Sequence, residues 1–324
     1  MEGGVRAPGS VSRALDVCSP PSMPRRAVDK PTRCNSTEPQ LTVVIPVWDQ
    51  YVLTVRDAVE SVLDQDAHAA VIVVDNASSE LLPALPPGVD IMRLPERLSA
   101  GAARNAGLSQ VRTEFVLFLD ADDIVLEGTL RLLLSRMTAR PALSACACSV
   151  LAWNAATGQV RPLDFPSGRT RLVARWPRGY HLYAAMANRM PTTGCVIMRT
   201  VTAVNAGGFT DSDFAEDWAL NIGLAFRGPI EFLRSHGRLL RVHAKSLRAR
   251  PRSRAEVARA FELVRRRVKG DPAAPVSVRL GFWLLALYHS RQVRRVTPGG
   301  TTTPGAALAA LGDGGLAATQ PRSS

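Results

Sequence analysis

The stretch Glu114-Phe-Val-Leu-Phe-Leu-Asp120-Ala-Asp122-Asp123 is an apolar run that stops on three acids. A short unbroken apolar run opening into a turn reads as a strand buried on both faces of a parallel sheet. Working outward, the pattern recurs. Residues 41–46 (Leu-Thr-Val-Val-Ile-Pro) are β-branched and stopped by proline, residues 71–75 (Val-Ile-Val-Val-Asp) end in an acid, and residues 91–94 give a further short strand. Between these runs, residues 52–63 place Val55, Val59, Val62 and Leu63 on one helical face, residues 101–109 read as a helix entered through small side chains, and residues 126–137 read as another helix. Alternating strands and helices predict a parallel α/β sheet with right-handed crossovers. Ligands of such sheets bind beyond the carboxyl ends of the strands, where Asp75, Asp120 and Asp122 all fall.

The second half is less regular. Strand-like residues 143–153 and 194–198 flank a loop-rich segment carrying Trp153, Trp176, Tyr180, His181 and Tyr183, whose rings suit either an acceptor platform or core packing. A helix over 214–226, a strand pair within 230–242 and two helices to about residue 295 follow. Residues 1–38 and 297–324, rich in Pro, Ser, Gly and Thr, read as a disordered leader and tail.

Composition removes several classes. With 324 residues, 46% of them hydrophobic and 21% charged, the chain can bury a core, which excludes a wholly disordered or collagen-like protein. Cys18, Cys34, Cys146, Cys148 and Cys195 form no C-x-x-C pair, and their odd number argues against a complete disulfide framework. No run reaches the roughly 18 apolar residues of a membrane span. The expectation is a cytoplasmic protein. No G-x-G-x-x-G follows residues 41–46, so a dinucleotide oxidoreductase is excluded.

Two carboxylates at i and i+2 on a strand end can address one hard cation such as Mn²⁺ or Mg²⁺, which neutralises charge growing on a diphosphate leaving group. The plainer alternative is an Asp-rich turn leading into the next helix. Asp75 likewise has a rival reading as a turn acid bonding its own loop through Asn76 and Ser78. Gly101 and Gly107 suit a close backbone approach to a ligand, or a helix start packed tightly on the sheet. Glu216 and Asp217 are read in the first turn of a helix, where the macrodipole favours acids.

Five blocks, taken in order, resemble the family-2 glycosyltransferases. They are Leu41-Thr-Val-Val-Ile-Pro46-Val, Val73-Val-Asp75-Asn-Ala-Ser78, Ser99-Ala-Gly101-Ala-Ala-Arg104-Asn105-Ala-Gly107, Phe118-Leu-Asp-Ala-Asp-Asp123, and Gly207-Gly208-Phe209 with Glu216-Asp217-Trp218. The resemblance implies a GT-A fold, α/β with a mostly parallel central sheet flanked by helices, and sugar transfer with inversion from a nucleotide-sugar, UDP-linked, to a small-molecule, glycan or lipid-linked acceptor. It implies a GT-A domain over 39–245, divided into a nucleotide-sugar half (39–125) and an acceptor half (126–245). Carried over residue by residue, it places Pro46, Val47, Asp75, Arg104, Asn105, Asp120 and Arg241 on the nucleotide-sugar. Asp122 and His243 become metal ligands, Asp217 the general base, and Glu216 a positioner beside it. Two departures stand out: Gly223 where many members carry a large polar residue, and Asp49 where many have asparagine.

The net charge is +12, and residues 248–295 alone hold thirteen Lys and Arg against Glu256, Glu262 and Asp271, or +10 of it. Residues 246–296 therefore read as a basic helical extension. The competing function is a non-catalytic protein that uses this segment on an anionic membrane or on nucleic acid. Nucleic acid is disfavoured, because no recognition motif accompanies the charge. A third reading is an arginine-decorated helix that packs its apolar side on the domain.

Overall fold

The computed structural model describes residues 38–65, 67–163, 166–186, 188, 190, 194–242 and 253–295. A nine-stranded sheet carries the molecule. Strand β1 (Leu41–Val47) runs parallel to β2 (Ala69–Asp75) on one side and to β4 (Phe115–Phe118) on the other, and β3 (Val89–Arg93) adds outside β2. Strands β1, β2 and β4 are the apolar runs of the sequence, and their burial explains why they lack alternation: β4 is buried at every position and β1 at all but Pro46, whereas β3 at the sheet edge is largely exposed. Helices α1 (Val55–Leu63) and α2 (Ala100–Gln110) cross over between them.

Beyond β4 the sheet becomes mixed. Strand β8 (Val196–Arg199) pairs antiparallel with β4, β6 (Ala145–Asn154) antiparallel with β8, and β9 (Ile230–Val242) parallel with β6. Short β5 (Ile124–Val125) and β7 (Val160–Pro162) pair antiparallel with β9 and β6. The remaining helices are α3 (Thr129–Ala139), α4 (Gly168–Ala174), α5 (Pro177–Met186), α6 (Thr200–Asn205), α7 (Trp218–Arg227), α8 (Arg254–Gly270), α9 (Val276–Leu280) and α10 (Phe282–Arg295).

Several elements differ from expectation. The segment read as loop-rich contains α4 and α5; Ser167 caps α4 by accepting from the Thr170 N–H, and proline opens α5, where its missing N–H costs nothing. Trp153 and Tyr180 from this region are buried while Trp176 is 68% exposed, so the aromatics form no single platform. The strand pair expected in 230–242 is one strand, whose exposed Arg234-Ser-His236 is accommodated by register shifts around Ser149. Among its described residues the C-terminal extension has three helices, not two.

That extension packs against the domain. Ser253 and Glu256 form a reciprocal capping box at the start of α8. Val257, Ala260, Phe261, Val264 and Val268 then bury one face of the helix, with Phe261 edge-on to Trp218 of α7 at 5.2 Å. Arg227 grips Asp271 through both carboxylate oxygens (2.7 and 2.9 Å), and Arg267 donates to the carbonyls of Ala206 and Gly208.

Candidate active site

The site gathers at the carboxyl end of β4 and centres on one arginine. Arg104, on α2 and 7% exposed, donates to Asp120 Oδ1 at 2.6 Å and to Glu216 Oε1 at 2.8 Å. A guanidinium fork suits this two-armed contact. Burial works against the Arg104 charge, but Asp120 and Glu216 outweigh it and hold its pKa above the ordinary arginine value. Burial raises the pKa of Glu216; Arg104 opposes this and Asp217 adds to it. The acids of the strand end and those before α7, 96 positions apart in the chain, are thus tied through one side chain.

Asp217 lies just outside α7, which begins at Trp218, and Glu216 precedes it. The expected placement in the first helical turn is corrected: Ala215 takes a positive φ of 53°, so the chain turns sharply before the helix starts. Asp217 flanks the helix without a side-chain capping bond. Its Oδ1 instead accepts from Asn188 Nδ2 at 2.8 Å, and Asn188 Oδ1 accepts from Asn221 Nδ2 at 2.8 Å. Asn221 also donates to the Met190 carbonyl at 2.9 Å. The sequence reading missed both asparagines. Asn221 had left a signal, as the lone polar residue in Trp218-Ala-Leu-Asn-Ile-Gly-Leu-Ala-Phe226.

A second guanidinium, Arg238 of β9, lies 1% exposed behind the acids, 3.3 Å from Asp123 Oδ2 and 4.0 Å from Asp120 Oδ2. Asp123 is completely buried. Burial raises its pKa, opposed by Arg238 and by the Arg241 N–H, which donates to Asp123 Oδ1 at 3.0 Å. Arg241 further donates from Nε to the Asp122 carbonyl and from Nη2 to Asp57, and sits over Trp153 at 4.6 Å. Arg241, expected on the diphosphate, here braces the D-x-D-D turn against β9.

Other expected contacts are placed differently. Asp75, 2% exposed, accepts from the Ser78 N–H at 2.9 Å and from Arg93 at 2.6 Å, which is the turn arrangement weighed against nucleobase binding. Asn105, expected on the nucleotide, uses both amide atoms on the backbone of Phe209. Val47 points into the core, whereas Pro46 is half-buried. A Cβ on Gly101 would collide with the Thr210 carbonyl, and one on Gly107 with Val44 and Val74, so both glycines serve close packing within the protein. Gly223 likewise admits Ala206, since a Cβ there would lie 2.7 Å from that methyl. Asp49 takes a positive φ of 30°, which asparagine and aspartate tolerate better than most residues, and accepts from the Ser79 N–H and hydroxyl; these bonds lower its pKa.

His243 lies outside the described residues. Among those described, no group of three or more His, Cys, Asp or Glu gathers as a metal cage. The hard oxygens of half-buried Asp120 and Asp122 still suit a divalent ion that takes its remaining ligands from phosphate and water.

A parallel nucleotide-type half joined to a mixed half, with acids converging at the β4 end, defines a GT-A type of fold. The Glycosyl transferase family 2 model matches residues 42–196, and that stretch of the chain is a family-2 glycosyltransferase domain. The chain is 35% identical over 107 residues to "Succinoglycan biosynthesis protein ExoO" of Rhizobium meliloti (strain 1021), an alignment spanning 31% of this chain and 30% of that relative. S. aureus TarS 1-349 in complex with UDP-GlcNAc superposes with a TM-score of 0.58 at 16% identity, covering 79% of this chain and 73% of that one. The same TarS fragment without that ligand gives 0.56 at 16% identity, covering 77% and 71%. Among the described residues, no helix is long and apolar enough to cross a membrane.

Proposed function

We propose that the chain is an inverting glycosyltransferase that moves a sugar from a UDP-sugar to an acceptor hydroxyl or amine, with Asp217 as general base. One observation carries this reading. The Asp217 carboxylate sits at a helix start without capping it, is turned by Asn188, and adjoins the Glu216–Arg104–Asp120 bridge that leads to the D-x-D-D turn. A base for the acceptor and a seat for the diphosphate are thereby joined in one rigid arrangement. The likeness to TarS, which was crystallised with UDP-GlcNAc, supports a UDP-sugar donor.

Each residue then has a task. Asp217 accepts the acceptor proton as the oxygen or nitrogen attacks, and Asn188 aims it. Glu216, held by Arg104, positions the acceptor beside Asp217. Asp120 faces the ribose side, and Asp122 would hold a divalent ion, Mn²⁺ or Mg²⁺, with His243 as a further ligand. When bound, that ion would supply positive charge to the departing diphosphate. Pro46 borders the base pocket, and Asp75, through its bonds to Ser78 and Arg93, shapes the loop beside it. The working domain spans 39–245, with 246–296 as its helical buttress.

The test is transfer or donor hydrolysis across a panel of nucleotide-sugars with Mn²⁺, comparing the wild type with Asp217→Asn and Asp122→Ala. Loss of general-base help lowers turnover by about 10²–10⁴-fold in Asp217→Asn. Unchanged turnover in both variants would overturn these assignments.

A further inference from the structure

We infer that the outer face of α9 and α10 seats the protein on an anionic lipid bilayer. The two helices are joined through Gly281, whose N–H donates to the Ser277 carbonyl and whose carbonyl accepts from Leu285. Their inner face is committed to the protein: Leu285, His289 and Gln292 are buried, with the His289 ring 4.3 Å from Phe261 and 5.4 Å from Trp218. The outer face is apolar and open. Leu280 is 72% exposed, Trp283 61%, Leu284 55% and Leu287 51%, which at i, i+3, i+4 and i+7 makes one continuous stripe. Exposed Arg279 and Arg291 stand at its two ends.

An apolar stripe between cations on an in-plane helix matches the layered chemistry of a membrane interface, where tryptophan and arginine sit at headgroup depth and leucine enters the acyl boundary. A second copy of this chain fits less well. An isologous dimer through the stripe would bring two segments of net +10 against each other, and like charges there would repel. Anionic headgroups instead complement that charge. The seat is also tied to the candidate base: His289 Nε2 lies 3.0 Å from the Ala185 carbonyl on α5, and the adjacent Ala184 carbonyl accepts from Trp218, the neighbour of Asp217. A surface that holds α10 would thus hold the acceptor end of the site close to lipid.

The test is co-sedimentation of the full chain with vesicles of phosphatidylcholine alone and of phosphatidylcholine mixed with phosphatidylglycerol, at low and high salt. Wild-type protein is expected on the anionic vesicles, with binding that weakens as salt rises. The double variant Trp283→Glu/Leu284→Glu should bind at least about tenfold more weakly, and Arg279→Glu/Arg291→Glu should lose the preference for anionic lipid. Both pairs are solvent-exposed, and unchanged thermal unfolding will show that the fold survives. Failure of the wild type to bind anionic vesicles overturns the inference, as does equal binding by Trp283→Glu/Leu284→Glu. A lipid-free dimer abolished by that same variant would reassign the stripe to a second copy. None of these readouts depends on glycosyl transfer, so they stand apart from the test of Asp217.

Discussion

Asn188 offers the sharpest probe of the site, because it bonds directly to the Asp217 carboxylate and is itself held by Asn221. Removing its amide leaves the carboxylate in place but releases its aim, and misplacing a catalytic group by about 1 Å costs up to about 10²-fold in rate. Asn188→Ala is therefore expected to lower kcat by about 10- to 100-fold with little change in the donor KM. Steady-state kinetics with donor varied at saturating acceptor checks this split, and a rise in donor KM at unchanged kcat would reassign Asn188 to the donor pocket. Arg104 carries a different burden. Arg104→Ala strips Glu216 of this counter-charge and leaves Asp120 only the more distant Arg238 at 4.0 Å, and breaking a buried ion pair from one side costs about 3–5 kcal/mol. Both acids retain some exposure, so a loss near the lower end is expected, read from equilibrium urea unfolding. At this scale the sequence disclosed the acids, because carboxylates that end apolar runs fall where ligands of a parallel sheet bind. It could not disclose their pairing. Arg104 looked like a ligand-binding arginine, and only the approach of residues 210–217 to α2 shows that it binds protein first.

At the scale of elements, legibility followed burial. Strands β1, β2 and β4 emerge from the sequence because a sheet buried on both faces demands unbroken apolar runs. Helices α4 and α5 stay hidden because they are short and arginine-bearing, and because Pro166 just before the α4 cap and Pro177 opening α5 resemble loop punctuation. The sequence pattern splits β9 because exposed Arg234-Ser-His236 interrupts an otherwise apolar run, although the backbone continues past a bulge. The glycines of the Arg-Asn block taught a related lesson. Gly107 touches Val44 and Val74 where α2 presses on the sheet, so its small size serves element packing. Gly107→Leu should force α2 away from β1 and β2 and destabilise the fold by about 1–3 kcal/mol, the usual cost of overpacking. Thermal unfolding measures this directly. A variant as stable as the wild type would mean that α2 has room to move, and would reopen a ligand-facing role for the glycine.

At the scale of the whole molecule, the +12 charge divides into a nearly neutral catalytic body and a basic helical buttress, and the joint between them contains a titratable group. His289 is buried between α8, α7 and α5. Burial depresses its pKa from the ordinary 6.5 to about 4; nearby Arg265 adds to this, and the Ala185 carbonyl opposes it. The folded protein therefore holds His289 neutral across a range where the unfolded chain binds a proton. Stability from this group is intact above about pH 6.5 and is lost as pH falls from there toward about 4, below which no further loss arises. At pH 5 the loss amounts to about 2 kcal/mol at most, from 1.36 kcal/mol per pKa unit. Urea unfolding at pH 7.5 and pH 5, compared between the wild type and His289→Leu, isolates this contribution from that of the carboxylates. The wild type is expected to lose more stability than the variant over that interval, by about 1–2 kcal/mol. Equal losses in the two proteins would show that the imidazole stays neutral or solvated in both states, and that the buttress is held by Phe261, Trp218 and the Arg227–Asp271 pair without regard to pH.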